Sequence, residues 1–332
     1  DVTASGHFTN GGTAEWLEGE GHSLNLTKVT PTDKVTFKYI VDTSGTNIKA
    51  KYRTTIKSSF ENKFVTKLDI TINNVEVDLL RPYSTPWTDF VPGETGNIEY
   101  EISIGLGKDV ANEYQNKNAR FTFETEAVQY NAHVFDGEAY LVHDNKRIEK
   151  DTIAEAIADS EEGDSIELNK DVVNGGHYVL KKGTTFNGAS HALIKDTQIQ
   201  APHGGTIRNV YFYNTANATN KLSSIISSNL GDGETLTISD CTFNHAQWEA
   251  IQVTPKAGAT INLTNNYFKN FSDELQERYV HIQSDKNNDP TDFTLYGSNN
   301  NFDDCNLIKQ GSVEVYFPAD PTKIKLEETT IH

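Results

Sequence analysis

The chain has 332 residues, of which 36% are hydrophobic, with 29 Lys and Arg against 47 Asp and Glu for a formal charge of −18. An acid excess of this size argues against nucleic acid as a partner, because phosphate contacts need a basic face, and against docking on anionic lipid. No run of 18 apolar residues occurs, so no membrane-spanning helix is expected. The length fits two domains. The charge is divided unevenly: residues 1–132 carry 13 basic and 18 acidic side chains, and the remaining 200 carry 16 and 29. The chain contains no methionine, so Asp1 is expected to be a processed N-terminus. That implies a removed signal peptide and a secreted, extracellular or cell-surface protein.

In chain order, the first segment alternates. Val2, Ala4, Gly6 and Phe8 fall on one face, and Thr3, Ser5, His7 and Thr9 on the other, a period of two. Asn10-Gly11-Gly12 follows, with Gly11 and Gly12 as a hinge. The residues up to about 132 then read as β. Ser23–Leu26, Lys34–Val41, Ile48–Ile56, Lys67–Val77, Asn97–Ile104 and Arg120–Gln129 are rich in Thr, Val, Ile and aromatics, and several alternate. Turn residues separate them, among them Asp42-Thr43-Ser44-Gly45, Asn73-Asn74 and Pro92-Gly93-Glu94. Short strands at this spacing predict a β-sandwich or jelly roll over residues 15–132. Lys108–Lys117 fits a short helix or an ordered loop.

Residues 133–149 read as a linker. One helix is predicted over 151–160: Thr152 and Glu155 have the form of a capping box, and Ile153, Ala156 and Ile157 make an apolar stripe. From Ile166 the sequence repeats. Tyr211-Phe212-Tyr213, Thr242-Phe243-Asn244, Tyr267-Phe268-Lys269 and Asn301-Phe302-Asp303 each carry a phenylalanine, with steps of 31, 25 and 34 residues. Strands precede the last three at Leu236–Ile238, Ile261–Leu263 and Thr294–Tyr296. Others follow at Ile251–Val253, Val280–Ile282 and Leu307–Lys309. Coils of this length with Asn-rich corners predict a right-handed parallel β-helix over residues 150–332. Asn suits such corners because it tolerates left-handed dihedrals and can hydrogen-bond up the stack. The fold class is therefore all-β: an N-terminal jelly roll or sandwich, then a right-handed parallel β-helix with one short capping helix.

Two family resemblances attach to these residues. Asp151–Ile157 followed by Gly163-Asp164-Ser165-Ile166-Glu167-Leu168 resembles the N-terminal cap of pectin-lyase-like β-helix proteins, in which an amphipathic helix plugs the open end of the solenoid. Ser23–Val35, Asp42-Thr43-Ser44-Gly45, Ile48-Lys49-Ala50 and the closing stretch Phe121–Asn131 resemble the TasA/camelysin family of biofilm-matrix fibre proteins. The chain departs from that family in carrying the β-helix. The resemblance implies a jelly roll and polymerisation by insertion of one subunit's N-terminal segment into the sheet of the next. On that basis residues 1–14 are expected to be a donor strand and hinge, with identical subunits as partners in a head-to-tail polymer. By alternation alone, a frayed terminus or an ordinary first strand of its own sheet is the better reading of the segment.

The chemistry on offer is limited. Glu15, Glu18 and Glu20, then Asp285, Asn287, Asn288 and Asp289, then Asp303 and Asp304 supply hard oxygen ligands of the kind that suit calcium, although no cofactor is required and surface charge explains them as well. Cys241 and Cys305 could form a disulfide or remain two buried thiols. A polysaccharide lyase or glycosidase would draw on Arg208, Lys269, Asp240, Asp303 and Asp304, but their positions differ from coil to coil. Tyr211, Tyr213, Trp248 and Tyr267 could stack on sugars or simply pack. The five histidines of the coils, His177, His191, His203, His245 and His281, read as solvent or ladder residues. The expected function is a non-enzymatic structural subunit of an extracellular filament. The β-helix would decorate the fibre and contact neighbouring filaments or surface glycans. The alternatives are a polysaccharide-degrading enzyme and a monomeric glycan-binding adhesin.

Overall fold

The structure is a computed structural model. It describes residues 13–17, 22–27, 34–60, 68–77, 79, 81–106, 119–173, 175–213, 224–244, 249–269, 279–284, 290–302, 313–326 and 329–331. The chain divides into two units, residues 1–134 and 135–332.

Among the described residues the first unit has ten strands: β1 (Thr13–Leu17), β2 (His22–Thr27), β3 (Lys34–Val41), β4 (Ala50–Phe60), β5 (Leu68–Ile72), β6 (Val75–Val77), β7 (Tyr83–Ser84), β8 (Thr88–Phe90), β9 (Ile98–Leu106) and β10 (Ala119–Gln129). They form two antiparallel sheets. One runs β1-β2-β10-β4-β7 with β8 also on β4, and the other runs β3-β9-β5-β6. Alternation decides which residues meet between them. Val35, Phe37 and Tyr39 of β3 are buried while Lys34, Thr36 and Lys38 are exposed. Phe37 meets Phe123 of the other sheet edge-on at 6.0 Å, and Tyr39 stacks on Phe123 at 5.1 Å. Aromatic pairs at these distances lock two sheets more specifically than area burial alone. The expected strand Lys67–Val77 is a hairpin, β5 and β6, because Asn73 and Asn74 both take positive φ (48° and 62°), as a two-residue turn of primed type requires. The segment 1–14, expected to be donor strand and hinge, gives up its last two residues to β1. Thr13 pairs with Thr27 and Ala14 with Leu26 across β2. Lys108–Lys117 lies outside the described residues.

The second unit begins earlier than expected. Ala139–His143 and Lys146–Lys150, in the stretch read as a linker, form an antiparallel hairpin turned at Asp144-Asn145. Its first strand also pairs antiparallel with Ser165–Leu168, so the hairpin closes one edge of the solenoid. The alternation in Ala139-Tyr140-Leu141 was the signal; Ala139 and Leu141 are buried. The helix, α1 (Ile153–Asp159), is capped by Thr152, whose side chain accepts the Glu155 amide at 3.2 Å. It buries Ile153, Ala156 and Ile157 against the end of the coils.

Beyond it lie three parallel sheets, the faces of a parallel β-helix. Face A comprises Ser165–Leu168, Thr185–Asn187, Gly205–Arg208, Thr235–Ser239, Thr260–Thr264, Thr294–Ser298 and Ile324–Lys325. Face B comprises Val172–Val173, Ala192–Ile194, Tyr211–Tyr213, Thr242–Asn244, Tyr267–Lys269 and Asn301–Phe302. Face C comprises His177–Val179, Gln198–Gln200, Ile226–Leu230, Ile251–Pro255, Val280–Gln283, Val313–Tyr316 and Thr329–Ile331. Leu307–Lys309, expected on face C, lies outside the described residues, and the strand that continues that face is Val313–Tyr316.

Register stacks like on like. On face B, Phe212, Phe243, Phe268 and Phe302 form one column, with ring centroids 5.0, 4.9 and 4.8 Å apart and near-parallel planes. The corner from face A to face B is a second column: Asn209, Asp240, Asn265 and Asn299 all adopt φ between 54° and 56°. The next residue in each coil is Val210, Cys241, Asn266 or Asn300. Asn266 accepts the Cys241 amide at 3.1 Å and donates to the Ile238 carbonyl at 2.9 Å and to Asn300 Oδ1 at 3.1 Å. Asn300 in turn donates to the Leu263 carbonyl at 2.8 Å. Corner backbone groups that no strand can pair are satisfied this way.

Two expectations follow. Phe243→Ala removes the middle of the aromatic column and is expected to cost about 3–5 kcal/mol, read by urea denaturation. At the capped end, His143 Nδ1 lies 2.8 Å from Asp164 Oδ1, and the Glu161 amide donates to Asp164 Oδ2 at 2.7 Å. The bond to Asp164, aided by the charges of Asp164 and Asp144, raises the His143 pKa above its ordinary 6.5. Burial opposes ionisation of Asp164. The bonds from the Glu161 amide and His143 outweigh it and hold the carboxyl below 3.8. The histidine's contribution is complete below pH 6.5 and is lost as pH rises through the raised folded value. That of Asp164 is present above 3.8 and is lost as pH falls through the lowered one. Thermal unfolding should therefore show a loss of stability as pH rises above 6.5 that His143→Gln abolishes.

Candidate functional site

Most of the residues singled out by sequence lie outside the described residues. These are Val2, Ala4, Gly6, Phe8, Gly11 and Gly12 of the donor segment, and Glu18, Glu20, Asp285, Asp289, Asp303 and Asp304 of the calcium candidates. Cys305, Trp248 and His245 are outside them as well. Among the described residues no group of three or more His, Cys, Asp or Glu is placed to hold a metal ion. Cys241 is a buried free thiol, stacked between Val210 and Asn266, with its Sγ 3.3 Å from the Ser239 carbonyl and 3.7 Å from that of Ile207. Burial pushes its pKa up to about 12, which keeps it protonated and unreactive.

The catalytic candidates that are described do not converge. Arg208 is exposed on the outer side of face A. Asp240 is a corner residue, accepting from Asn265 Nδ2 at 3.2 Å. Lys269 ends a face B strand and is buried. Tyr211 and Tyr267 are buried too, and the Tyr211 hydroxyl and Asn244 Nδ2 are bonded at 2.6 Å, so packing accounts for them.

The structure brings together a set of groups that sequence reasoning missed, on the outer side of face C. The alternation there points Ile226, Ile251, Val280 and Val313 inward and leaves Ser227, Gln252, His281 and Glu314 as an outward column in register. Along this column the character changes. Ser227, Asn229, Gln252, Thr254 and Gln283 line a groove of about 270 Å³ whose lining carries hydroxyls and carboxamides and no charged side chain. Next to it, His281 and Glu314 are buried although they point away from the core, at 6% and 0% exposure. His281 Nδ1 is 3.5 Å from Oε1 of the equally buried Glu249, and Ser224 Oγ donates to Glu249 Oε2 at 3.4 Å. The His281 ring meets the edge of Tyr316 at 5.2 Å, and the Tyr316 hydroxyl donates to Glu314 Oε2 at 2.6 Å. Buried carboxylates persist only when they are hydrogen-bonded or charge-paired. Each of these groups thus touches the next, and beside them lies a neutral groove that can hydrogen-bond an uncharged polar molecule. In sequence, Val280-His281-Ile282 reads as an ordinary half-exposed strand, and Val313-Glu314-Val315 is not among the expected strands. The burial of their middle residues comes from elsewhere in the chain, which alternation does not encode.

A second feature belongs to the first unit. Among the described residues β3 stands at the end of its sheet, in the order β3-β9-β5-β6, and all eight of its residues pair with β9 on one side. Compared with protein-family models, with curated proteins and with solved structures, the chain matches none.

The state of Cys241 is directly measurable. In native protein it should resist alkylation, and in denatured, unreduced protein it should alkylate fully; a Cys241 that reacts only after reduction would establish a disulfide instead.

Proposed function

We propose that the chain is a secreted, non-enzymatic subunit of an extracellular filament, in which the alternating segment Val2–Phe8 of one subunit adds to the sandwich sheet of the next. The observation that carries this reading is the terminal position and form of β3: eight residues long, with Val35, Phe37 and Tyr39 facing the core and Lys34, Thr36 and Lys38 facing out. A strand arriving beside β3 would continue its main-chain ladder. Its Val2, Ala4, Gly6 and Phe8 would extend the row of inward side chains. Long edge strands are an aggregation hazard, and using one such edge per subunit turns it into a directed contact. Head-to-tail contacts of this kind generate fibres whenever their rotation does not close into a ring. In this reading the β-helix decorates the fibre, and calcium is an optional ligand rather than a requirement.

The scatter of Arg208, Asp240 and Lys269 over three positions supports a scaffold over a polysaccharide-degrading enzyme. The neutral groove on face C favours, as a second reading, binding of an uncharged glycan by that surface.

Deleting residues 1–12 is expected to abolish filaments in negative-stain electron microscopy while leaving the β-rich circular dichroism spectrum unchanged. Excess peptide spanning residues 1–10 should shorten filaments of the full chain by capping them. Filaments that persist unaltered in both experiments would overturn the donor-strand role, and a monodisperse monomer that binds sugars would select the adhesin.

A further inference from the structure

The outer side of face A carries an uncharged array over three rungs. Three consecutive rungs, Thr235-Leu236-Thr237-Ile238-Ser239, Thr260-Ile261-Asn262-Leu263-Thr264 and Thr294-Leu295-Tyr296-Gly297-Ser298, send Leu236, Ile238, Ile261, Leu263 and Leu295 inward. What they present outward is Thr, Ser, Asn and one Tyr, in straight columns: Thr235, Thr260 and Thr294; Thr237, Asn262 and Tyr296; Ser239, Thr264 and Ser298. None of the fifteen residues is charged. Arg208 on the preceding rung and Lys325 on the following one bracket the patch, and both are basic. The side chains are braced along the stack, Asn262 Nδ2 donating to Thr237 Oγ1 at 3.3 Å.

This neutral patch lies in the more acidic part of the chain, where residues 133–332 hold 16 basic and 29 acidic side chains. Two copies of such a surface repel one another almost everywhere. They can approach without facing like charges where both present this patch. The columns also suit contact with an identical surface: β-strands about 4.8 Å apart in both copies share one repeat, so hydroxyls and amides of one array meet those of the other in register.

We propose that the outer side of face A is the lateral contact between filaments, its partner being the same face of a second copy of this chain. The proposal rests on the filament reading above and adds the surface that joins one fibre to another. The size of the patch agrees with that role. Three strands by five residues cover on the order of 240 Å², well short of the roughly 800 Å² per partner of a stable pair. Single subunits therefore stay apart, whereas a fibre repeats the contact at every subunit and gains avidity from it. Salt decides the balance. Facing sheets lie about 10 Å apart, close to the Debye length of about 8 Å at physiological ionic strength and far inside the roughly 30 Å at 0.01 M. The acidic surroundings thus keep fibres single in low salt and let them pair in physiological salt.

The experiment compares full-length wild type with Thr237→Glu/Asn262→Glu and, as a charge control, Thr254→Glu/Gln252→Glu on face C. Filaments are counted as single or bundled by electron microscopy at low and physiological salt. Wild type and the control are expected to bundle at physiological salt. The face A variant should remain single at the same salt, with filaments of normal length. Bundling of the face A variant like wild type overturns the proposal, as does equal dispersal of the control. Wild-type filaments that stay single at every salt also overturn it, while leaving the filament reading intact. A chain that forms no filaments at all overturns both.

Discussion

Parallel strands that stack coil upon coil must hydrogen-bond to the same positions of the coil above and below, and everything else in the second unit depends on that constraint. Once the backbone is in register, each side chain meets its counterpart about 4.8 Å away. A phenylalanine inward on face B is best continued by another, hence the column from Phe212 to Phe302. A corner that needs positive φ needs it in every coil, hence Asn209, Asp240, Asn265 and Asn299. The same constraint forces outward residues into columns, so a chemical character chosen once is displayed repeatedly.

That repetition is why the two outer surfaces described here differ so clearly. Face A repeats a short, uncharged, hydroxyl-rich pattern and stays on the surface. Face C starts with similar residues, Ser227 and Gln252, and ends with His281 and Glu314 in a buried cluster with Glu249 and Tyr316. A buried histidine beside a buried carboxylate is expensive to maintain, since each must be matched to the other or to a hydroxyl.

The two units handle strand edges in opposite ways. The β-helix closes one end with the hairpin Ala139–Lys150 and with α1, held by the His143–Asp164 bond. The hairpin gives one edge of the β-helix an antiparallel cover, whereas among the described residues the eight-residue β3 ends its sheet.

Much of this fold was legible before any coordinates. Lys34–Val41 is a strand to the residue, Thr152 caps the helix, and the phenylalanine steps of 31, 25 and 34 residues are the register steps of face B. These features depend on local periodicity and on which residues tolerate a given dihedral, and both are properties of the chain itself. The first coils were harder to see, since Phe186 and Leu193 stand where later coils carry Ile and Phe. The hairpin at Ala139–Lys150 was hidden because its partner, Ser165–Leu168, lies across the helix in sequence. The cluster on face C was invisible for a related reason. His281 and Glu314 sit 33 residues apart and become neighbours only through register. The sequence by itself determined the β architecture, the repeat and the inward and outward sides of each strand, because those follow from a period of two and from stacking like on like. Only the tertiary structure decided which outward residues stay wet and which are buried together, because that depends on what the rest of the chain lays over them.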